Sequence, residues 1–435
     1  MDAATAAHLL LDQEARALQT RVARIKPFVL NEPMLPAANL LPPAQIAIEQ
    51  LLARGRYELK SGIVAFLRWL HGPSGRAASP ALAQRRFIGL RLRFNAVLTQ
   101  LDLFSDVITQ RSESDNGVWM SGLDVVASDA LALPGYLTPP PVICYLDRGI
   151  GAAIRRARTR LPGGGENPVA IIRVPRERMI GSGIASSLVH EVGHQASALL
   201  DLVPSLAAVL KGEPHASGDP EVWALFERWL SEILADFWSV ARVGLASTLG
   251  LIGVVSLPRA FVFRLNLDDP HPMPWLRVKI SCAIGAALYP HPQWARTARL
   301  WQAFYPLDRL DPVRRDLIGR VEATLPEFIG LVVNHRPAAL RGRSLREVLD
   351  LDARQPARLL ARFETWRRQP ALLYRAPPAL AFAVLGQAKA DGHLSPEDEG
   401  ELLARLLTHW AMRSTLEAKA ICAARAAPPA RASLH

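Results

Sequence analysis

The amino-acid sequence predicts a mostly helical α+β protein, and two observations support this fold class. Before residue 130 and after residue 307, apolar residues recur at helical spacing in segments that Pro and Gly separate. In the middle of the chain, Val142–Leu146 and Val169–Val174 are short apolar runs with β-branched residues, which is typical of strands. We therefore expect a central domain with a small sheet, flanked by helical regions.

The domain limits follow from composition and punctuation. The proline-rich stretch Pro134–Pro141 predicts a boundary between a helical N-terminal region at residues 1–135 and a central domain at residues 136–306. A helical region is predicted at residues 307–422, and a disordered tail at residues 423–435. The helical segments predicted outside the centre are Leu9–Ile25, Pro43–Arg54, Leu59–Leu70, Gln84–Gln110 and Pro396–Met412 with Ser395 as N-cap, with turns at Gly72–Gly75 and Asp115–Gly117.

The central domain carries the pattern H-E-x-x-H at His190, Glu191 and His194. A turn at Gly181–Gly183, with Ser182 as predicted N-cap, and apolar residues at every fourth position place this pattern on a helix. On one helix face, residues i and i+4 can bind one metal ion together while the intervening Glu reaches a water molecule there. With 11 His in 435 residues, about 0.01 chance matches are expected. Two hydrogen-bonded histidines on a partly buried helix are the structural alternative.

A catalytic zinc site needs a third protein ligand, and the segment Pro220–Val243 offers the best candidate. It predicts one long helix, with Pro220 in its first turn and Asp219 or Ser217 as its cap. Glu232 and Asp236 share one face, so Glu232 can bind the metal while Asp236 accepts a hydrogen bond from a ligand histidine. A solvated acidic face is the alternative, which the apolar neighbours disfavour. Other candidate ligands are Glu227, Glu221 and His215.

These two motifs resemble those of the gluzincins, zinc peptidases that combine H-E-x-x-H with a downstream E-x-x-x-D, and the chain most resembles the M48 peptidases. A third stretch, Asp269–Val278, is similar to the H-P-x-x-x-x-R-[IV] element of M48-like enzymes. The alternative for this stretch is a proline-rich turn in which Arg277 pairs with Asp268 or Asp269. The resemblance covers roughly residues 141–301. It implies one Zn²⁺ per chain held by His190, His194 and Glu232, with Glu191 as general base, Asp236 as supporting carboxylate, His271 as oxyanion-stabilising group and Arg277 as a residue that buttresses the site or binds substrate.

The resemblance further implies a zincin-like fold and hydrolysis of peptide bonds in protein or peptide substrates. If Val169–Val174 is an edge strand, an extended substrate can pair with it. A non-catalytic zinc-binding scaffold that keeps the fold is a second hypothesis, and a helical interaction protein with an accidental motif is a third. The membrane helices of M48 enzymes are not expected, because the uncharged stretch Val243–Pro258 is shorter than the ~20 apolar residues of a span and predicts a buried core segment.

Composition narrows the partners and the compartment. The net charge is +11, but the arginines are interspersed with acidic residues and form no long basic block, so nucleic acid is not an expected partner. Three widely spaced cysteines, Cys144, Cys282 and Cys422, predict free buried thiols and no disulfide framework. The N-terminus has no secretory signal, which makes the cytoplasm the expected location, although a dedicated export machine would need no such signal. The sequence leaves the substrate and the oligomeric state open.

Overall fold

The computed structural model describes residues 2–25, 34–112, 114–147, 151–162, 164–176, 181–212, 218–266 and 268–426. Over these residues the protein is mostly helical and has one three-stranded mixed sheet, in agreement with the predicted α+β class. The described residues form two compact units. The first comprises the chain up to Ser121, Arg156–Ala170 and the chain from Met412, and the second comprises Gly122–Arg155 and Ile171–Ala411. The domain limits given above stay predictions.

Three long helices build the first unit. Its helices are α1 (Ala3–Arg24), α2 (Pro42–His71), α3 (Pro73–Arg76) and α4 (Pro80–Thr109). Buried residues at helical spacing on α1, α2 and α4 form one core, which includes Leu18, Ile63 and Phe87. The two segments predicted as separate helices form the single helix α2. The helix continues through Gly55, where a Cβ atom would lie 3.3 Å from Val97 on α4, so a glycine permits close packing.

The second unit contains the sheet and most of the remaining helices. Its elements are the end of α5 (Ser114–Leu131), β1 (Val142–Asp147), β2 (Ala153–Arg155), β3 (Ala170–Pro175), α6 (Ser182–Leu199), α7 (Leu202–Gly212), α8 (Pro220–Val243), α9 (Leu245–Val255), α10 (Arg259–Val262), α11 (Pro274–Leu288), α12 (Pro292–Phe304), α13 (Pro312–Asn334), α14 (Leu345–Val348), α15 (Pro356–Arg368), α16 (Ala371–Arg375), α17 (Pro378–Ala390) and the first half of α18 (Pro396–Ala426).

Two helix ends differ from the sequence-based expectation. Asp115–Gly117, predicted as a turn, lies in the first turn of α5, where an acidic residue interacts favourably with the helix dipole. Helix α18 has its predicted cap, since Ser395 Oγ accepts from the N–H of Asp398 at 3.0 Å, but it continues past Met412. An Arg413–Glu417 ion pair at i and i+4 supports the added turns. The part of the predicted tail beyond residue 426 lies outside the described residues.

The sheet has the strand order β1-β3-β2. Strands β1 and β3 correspond to the two predicted runs, whereas β2 was not predicted. Strand β2 pairs antiparallel with β3, with Ala153 opposite Arg173 and Arg155 opposite Ile171. The expectation that Val169–Val174 forms an edge strand is wrong, because β1 and β2 flank β3 on both sides. The edge strands of this sheet are β1 and β2.

Helices α6 and α8 lie at the centre of the second unit. Helix α8 has the predicted bounds, and Asp219 caps it by accepting from the N–H of Val222 at 3.2 Å. Helix α6 begins at Ser182, so the predicted cap is wrong by one residue. Gly181 occupies the N-cap position with φ 85°, a conformation that favours glycine.

The uncharged segment that follows α8 contributes to the core, as predicted. Its helix α9 buries Leu245, Thr248 and Leu251, among others, and packs against α6. None of the helices in the described ranges combines the length and the apolar character needed to cross a bilayer. Cys144 and Cys282 are buried and form no disulfide, as predicted, and burial raises the pKa of the Cys282 thiol to about 12. The side chain of Cys422 lies outside the described set.

Helices α6 and α8 approach each other closely at Gly193. A Cβ atom on this residue would lie 2.7 Å from both the Cα and the carbonyl oxygen of Ala235. These are backbone atoms, which cannot turn aside as a flexible side chain can, so the two helices reach this separation only with glycine at this position. On α8, Ala235 lies three residues after Glu232 and directly before Asp236. The contact therefore brings both carboxylates to the motif-bearing helix.

We expect Gly193→Ala to lower the free energy of unfolding by about 1–3 kcal/mol, because the added methyl group must push the two backbones apart. Gly253→Ala is a matched control, since Gly253 also lies in a helix of this unit and a Cβ there meets open space. Alanine at that control position should stabilise the protein by about 0.5–1 kcal/mol. Chemical denaturation measures both changes, and equal stabilities of the two variants would contradict the packing described.

Candidate metal centre

Three side chains from α6 and α8 converge on one point. His190 and His194 extend from one face of α6, and Glu232 faces them from α8. Glu232 Oε2 lies 3.3 Å from His190 Nε2, and Glu232 Oε1 lies 3.3 Å from His194 Nε2. The ligand atoms of the three residues lie within 4.8 Å of one another. Within the described part of the chain, these residues form the one group of His, Cys, Asp and Glu side chains that could hold a metal ion.

The donor set fits a divalent metal ion. Glu232 is mostly buried, and its Oε2 atom lies 3.3 Å from His190 Nε2 and 3.5 Å from Arg277 Nη2. A buried carboxylate is unfavourable unless positive charges or hydrogen-bond donors compensate it, and a metal ion is one such charge. The two imidazole rings stand at 84° to each other with centroids 4.8 Å apart, so both can offer a nitrogen to the same ion. Two imidazoles and one carboxylate are a typical ligand set for zinc in a catalytic site.

Asp236 lies behind His190, as the spacing on α8 predicted. Its Oδ1 atom is 2.8 Å from His190 Nδ1, so the ring donates its Nδ1–H to the carboxylate and leaves Nε2 free to bind a metal. Arg277 on α11 donates to both oxygens of Asp236, from Nε at 2.7 Å and from Nη2 at 2.9 Å. Arg277 thus orients His190 through Asp236. It does not form the ion pair with Asp268 or Asp269 that the structural alternative required.

His194 has a second polar neighbour that the sequence did not indicate. The hydroxyl oxygen of Ser231 lies 3.3 Å from His194 Nδ1. Consecutive residues of a helix point in different directions, so the position of Ser231 beside Glu232 in the sequence gave no sign that both reach this site. The contact restrains the ring on the side away from Glu232.

His271 lies at the mouth of the site. Its side chain is 54% exposed, and its Nε2 atom is 3.6 Å from Glu232 Oε2. Asp269 Oδ1 lies 2.7 Å from His271 Nδ1 and accepts from the backbone N–H of His271 at 2.9 Å. Asp269 therefore holds the ring so that Nε2 faces the converging ligands.

Glu191 lines a cleft together with His190 and Glu232. The cleft has a volume of about 190 Å³, and its lining also includes Ser187, Leu251 and Val254. The Glu191 side chain is mostly buried. Burial raises the pKa of its carboxyl group above the ordinary value, and the neighbouring histidines and Arg277 only partly offset this effect. Glu191 therefore binds a proton more readily than an exposed glutamate does, which suits a general base.

The remaining charges of the site favour anionic carboxylates and a protonated His190 in the metal-free protein. Burial raises the pKa of Asp236, but Arg277 and His190 outweigh burial and bring it to about 2. Burial also raises the pKa of Glu232, but hydrogen bonds from the two histidines and the positive charge of Arg277 outweigh burial and lower this pKa below its ordinary value. Burial lowers the pKa of His190, but Asp236 outweighs burial and the repulsion from Arg277 and raises it to about 9.

Two of the alternative ligands, Glu221 and Glu227, do not join the two histidines. Glu221 pairs with Arg320 at 2.8 Å, and Glu227 pairs with Lys211 at 2.8 Å. His215 and Ser217 lie outside the described residues. Of the acidic residues considered on α8, the structure places Glu232 in the group that could hold a metal ion and Asp236 beside His190.

Comparisons of this chain with protein-family models, with curated proteins and with solved structures gave no match. The resemblance to gluzincins therefore stays a prediction from the three sequence motifs.

We expect Asp236→Asn to weaken zinc binding by about 10- to 100-fold, because His190 loses its anionic partner and Arg277 loses its counter-ion. Glu227→Gln removes a carboxylate from the same helix without touching the site, so it is the matched control and should bind zinc like the wild type. Competition with a chromogenic chelator measures both affinities. An unchanged affinity in Asp236→Asn would show that zinc binding does not depend on the contact between Asp236 and His190.

Zinc binding should also depend on pH, because the metal must displace the proton of His190. Below the pKa of about 9 this proton competes with the metal. We expect the apparent affinity to rise about tenfold per pH unit between pH 7 and pH 9 and to level off above. Asp236→Asn removes the charge that raises this pKa, so the slope should become shallower in that variant. Affinities at three pH values test the expectation, and a flat profile in the wild type would refute it.

Proposed function

We propose that this protein is a zinc-dependent peptidase of the gluzincin type with a zincin-like catalytic domain. The observation that carries the proposal is the convergence of His190, His194 and Glu232. Two of these residues, His190 and Glu232, line one cleft with the buried Glu191. Two imidazoles from one helix and a carboxylate from a later helix leave a fourth position of a zinc ion open for chemistry. Glu191 lines the same cleft and is not part of this ligand group.

The chain's own groups account for the proton transfers of hydrolysis. His190, His194 and Glu232 would hold the zinc ion, which would supply Lewis acidity to polarise a peptide carbonyl and to lower the pKa of a water molecule. Glu191 takes a proton from the water that attacks the carbonyl carbon and passes this proton to the leaving amine nitrogen. The raised pKa of Glu191 favours the first transfer and still allows the second.

Two further residues fit the roles that the resemblance implies. His271 Nε2 faces the ligand group from the mouth of the cleft, where it can donate a hydrogen bond to the oxygen on which negative charge develops. Arg277 is a positioning residue, since its guanidinium group binds Asp236, which in turn orients His190. In this proposal Arg277 acts on the ligand and not on the substrate.

Strand β2 offers a place for the substrate backbone. Gly151 and Ala152 line the cleft directly before β2 begins at Ala153. Because β2 is at one end of the strand order, an extended peptide can add to its outer edge beside the ligands. The central position of β3 excludes it from this role.

A non-catalytic zinc-binding scaffold would use the same three ligands. Glu191 favours the enzyme, because a scaffold has no use for a carboxyl group that is buried at a desolvation cost next to another carboxylate. The two functions differ in one measurable respect, which is turnover that depends on Glu191.

We expect Glu191→Gln to bind about one zinc ion per chain, like the wild type, and to cleave peptides about 10²- to 10⁴-fold more slowly. The amide keeps the size of the side chain but cannot accept the proton. Metal content and the products formed from a complex peptide mixture are measured on the full chain, with Glu227→Gln as the matched control. Zinc binding with no Glu191-dependent cleavage would favour the scaffold, and a chain without zinc would exclude both functions.

A further inference from the structure

A cavity whose charged lining residues are all arginines opens between α15 and the segment formed by α16 and the start of α17. It has a volume of about 640 Å³. Arg358 and Arg362 come from α15, and Arg375 is the last residue of α16. No Asp or Glu of the described residues lines this cavity. It lies within the second unit and shares no lining residue with the metal cleft.

Helical periodicity places the two arginines of α15 next to each other. Arg358 and Arg362 are four residues apart, so they share one face and are separated by about 6 Å along the helix axis. Like charges at this spacing destabilise a helix slightly. Arg358 is compensated, because its Nη1 atom lies 2.5 Å from Oδ2 of Asp352. Arg362 and Arg375 form no ion pair with any residue that the structure describes, so both are available to an anionic ligand.

The base of the cavity is apolar. Trp366 and Leu380 are each 7% exposed, whereas Leu372 at the rim is 36% exposed. The one hydroxyl group of the lining is already engaged, since Thr365 Oγ1 donates to the carbonyl oxygen of Ala361 at 2.9 Å. A ligand that fills this cavity therefore needs apolar groups towards its base and negative charges towards the arginines. The apolar lining residues are Ala361, Trp366, Leu372, Ala376, Pro377 and Leu380.

The spacing of the charges favours an extended chain over a single anion. Guanidinium groups that converge on one point suit a phosphate group, but Arg358 and Arg362 follow one another along α15. In an extended peptide, alternate side chains share one face and are about 6.6 Å apart, which is close to the axial spacing of the two arginines. Carboxylates at alternate positions can therefore meet both arginines, while the residues between them face the other way.

We propose that this cavity binds an acidic segment of another protein, in which Asp or Glu alternates with apolar residues. The carboxylates pair with Arg358, Arg362 and Arg375, and the apolar side chains cover Leu372 and the base of the cavity. Such a site gives the C-terminal helical part of the chain a binding role of its own. It does not rest on the proposed peptidase function, because it uses none of the residues of the metal cleft.

The test uses the full chain and the fluorescent peptide Gly-Asp-Leu-Asp-Leu-Asp-Gly. We expect a dissociation constant on the order of 10–100 µM, which should rise with salt because exposed ion pairs are screened. Lys in place of every Asp should abolish binding. Ser in place of both Leu residues should weaken it about three- to tenfold, since apolar burial is lost. Fluorescence anisotropy measures the affinities, and mass spectrometry checks that the peptides stay intact.

A pair of double variants separates the cavity from the general positive charge of the protein. Arg362→Ala/Arg375→Ala should weaken binding about 5- to 25-fold. Arg367→Ala/Arg368→Ala is the matched control, because it also removes two exposed arginines, both on α15, and neither lines the cavity. The control should bind the peptide within about twofold of the wild type. Thermal unfolding shows whether both variants keep the fold.

Each outcome decides for or against the site. An affinity that falls in Arg362→Ala/Arg375→Ala and persists in the control supports it. An equal loss in both variants, or no saturable binding to the wild type up to about 0.5 mM, overturns it. The peptide assignment is also overturned if a single-stranded oligonucleotide of the same charge, or inorganic phosphate, displaces the peptide and binds more tightly through the same arginines. None of these measurements involves zinc or cleavage, so they leave the proposed function to its own test.

Discussion

The backbones of α6 and α8 touch at Gly193 and Ala235, and the geometry of the site depends on that contact. On α8, Glu232 lies three residues before Ala235, and Asp236 directly follows Ala235. The distance between the helices therefore also sets the distances from these carboxylates to the two imidazoles. A helix pair at ordinary separation, with side chains between the backbones, is 8–10 Å apart and would leave the same residues too distant to bind one ion. The glycine of the H-E-x-x-H segment is therefore a packing requirement, and the room it provides is filled by α8.

Helices α6 and α8 bury three carboxyl groups, those of Glu191, Glu232 and Asp236. Positively charged groups and hydrogen-bond donors of the site compensate this burial one group at a time. Arg277 neutralises Asp236 with two hydrogen bonds, and Asp236 accepts from His190. The negative charge of Glu232 and the proton-binding tendency of Glu191 remain after these pairings. A bound cation would compensate the first of these, and a substrate water molecule would use the second. This division explains why two of the buried residues of α8 are acids.

The sequence predicted the parts of this arrangement that a single helix encodes. Spacings of four residues placed His190 with His194 and Glu232 with Asp236 on common faces, and capping residues gave the bounds of α8 correctly. The sequence failed where tertiary contacts decide. Helix α2 runs through Gly55, where α4 packs against it. Strand β2 is too short to show an alternating pattern. The composition of β3 did not show that this strand has a neighbour on each side. The sequence did not indicate Ser231 because its partner, His194, lies on a different helix.

A site of this kind constrains few positions of the chain. The proposed chemistry needs two imidazoles, three carboxylates, one guanidinium group and one glycine that lets the helices meet. The rest of both helices needs only buried apolar residues at the right spacing, and many sequences satisfy that requirement.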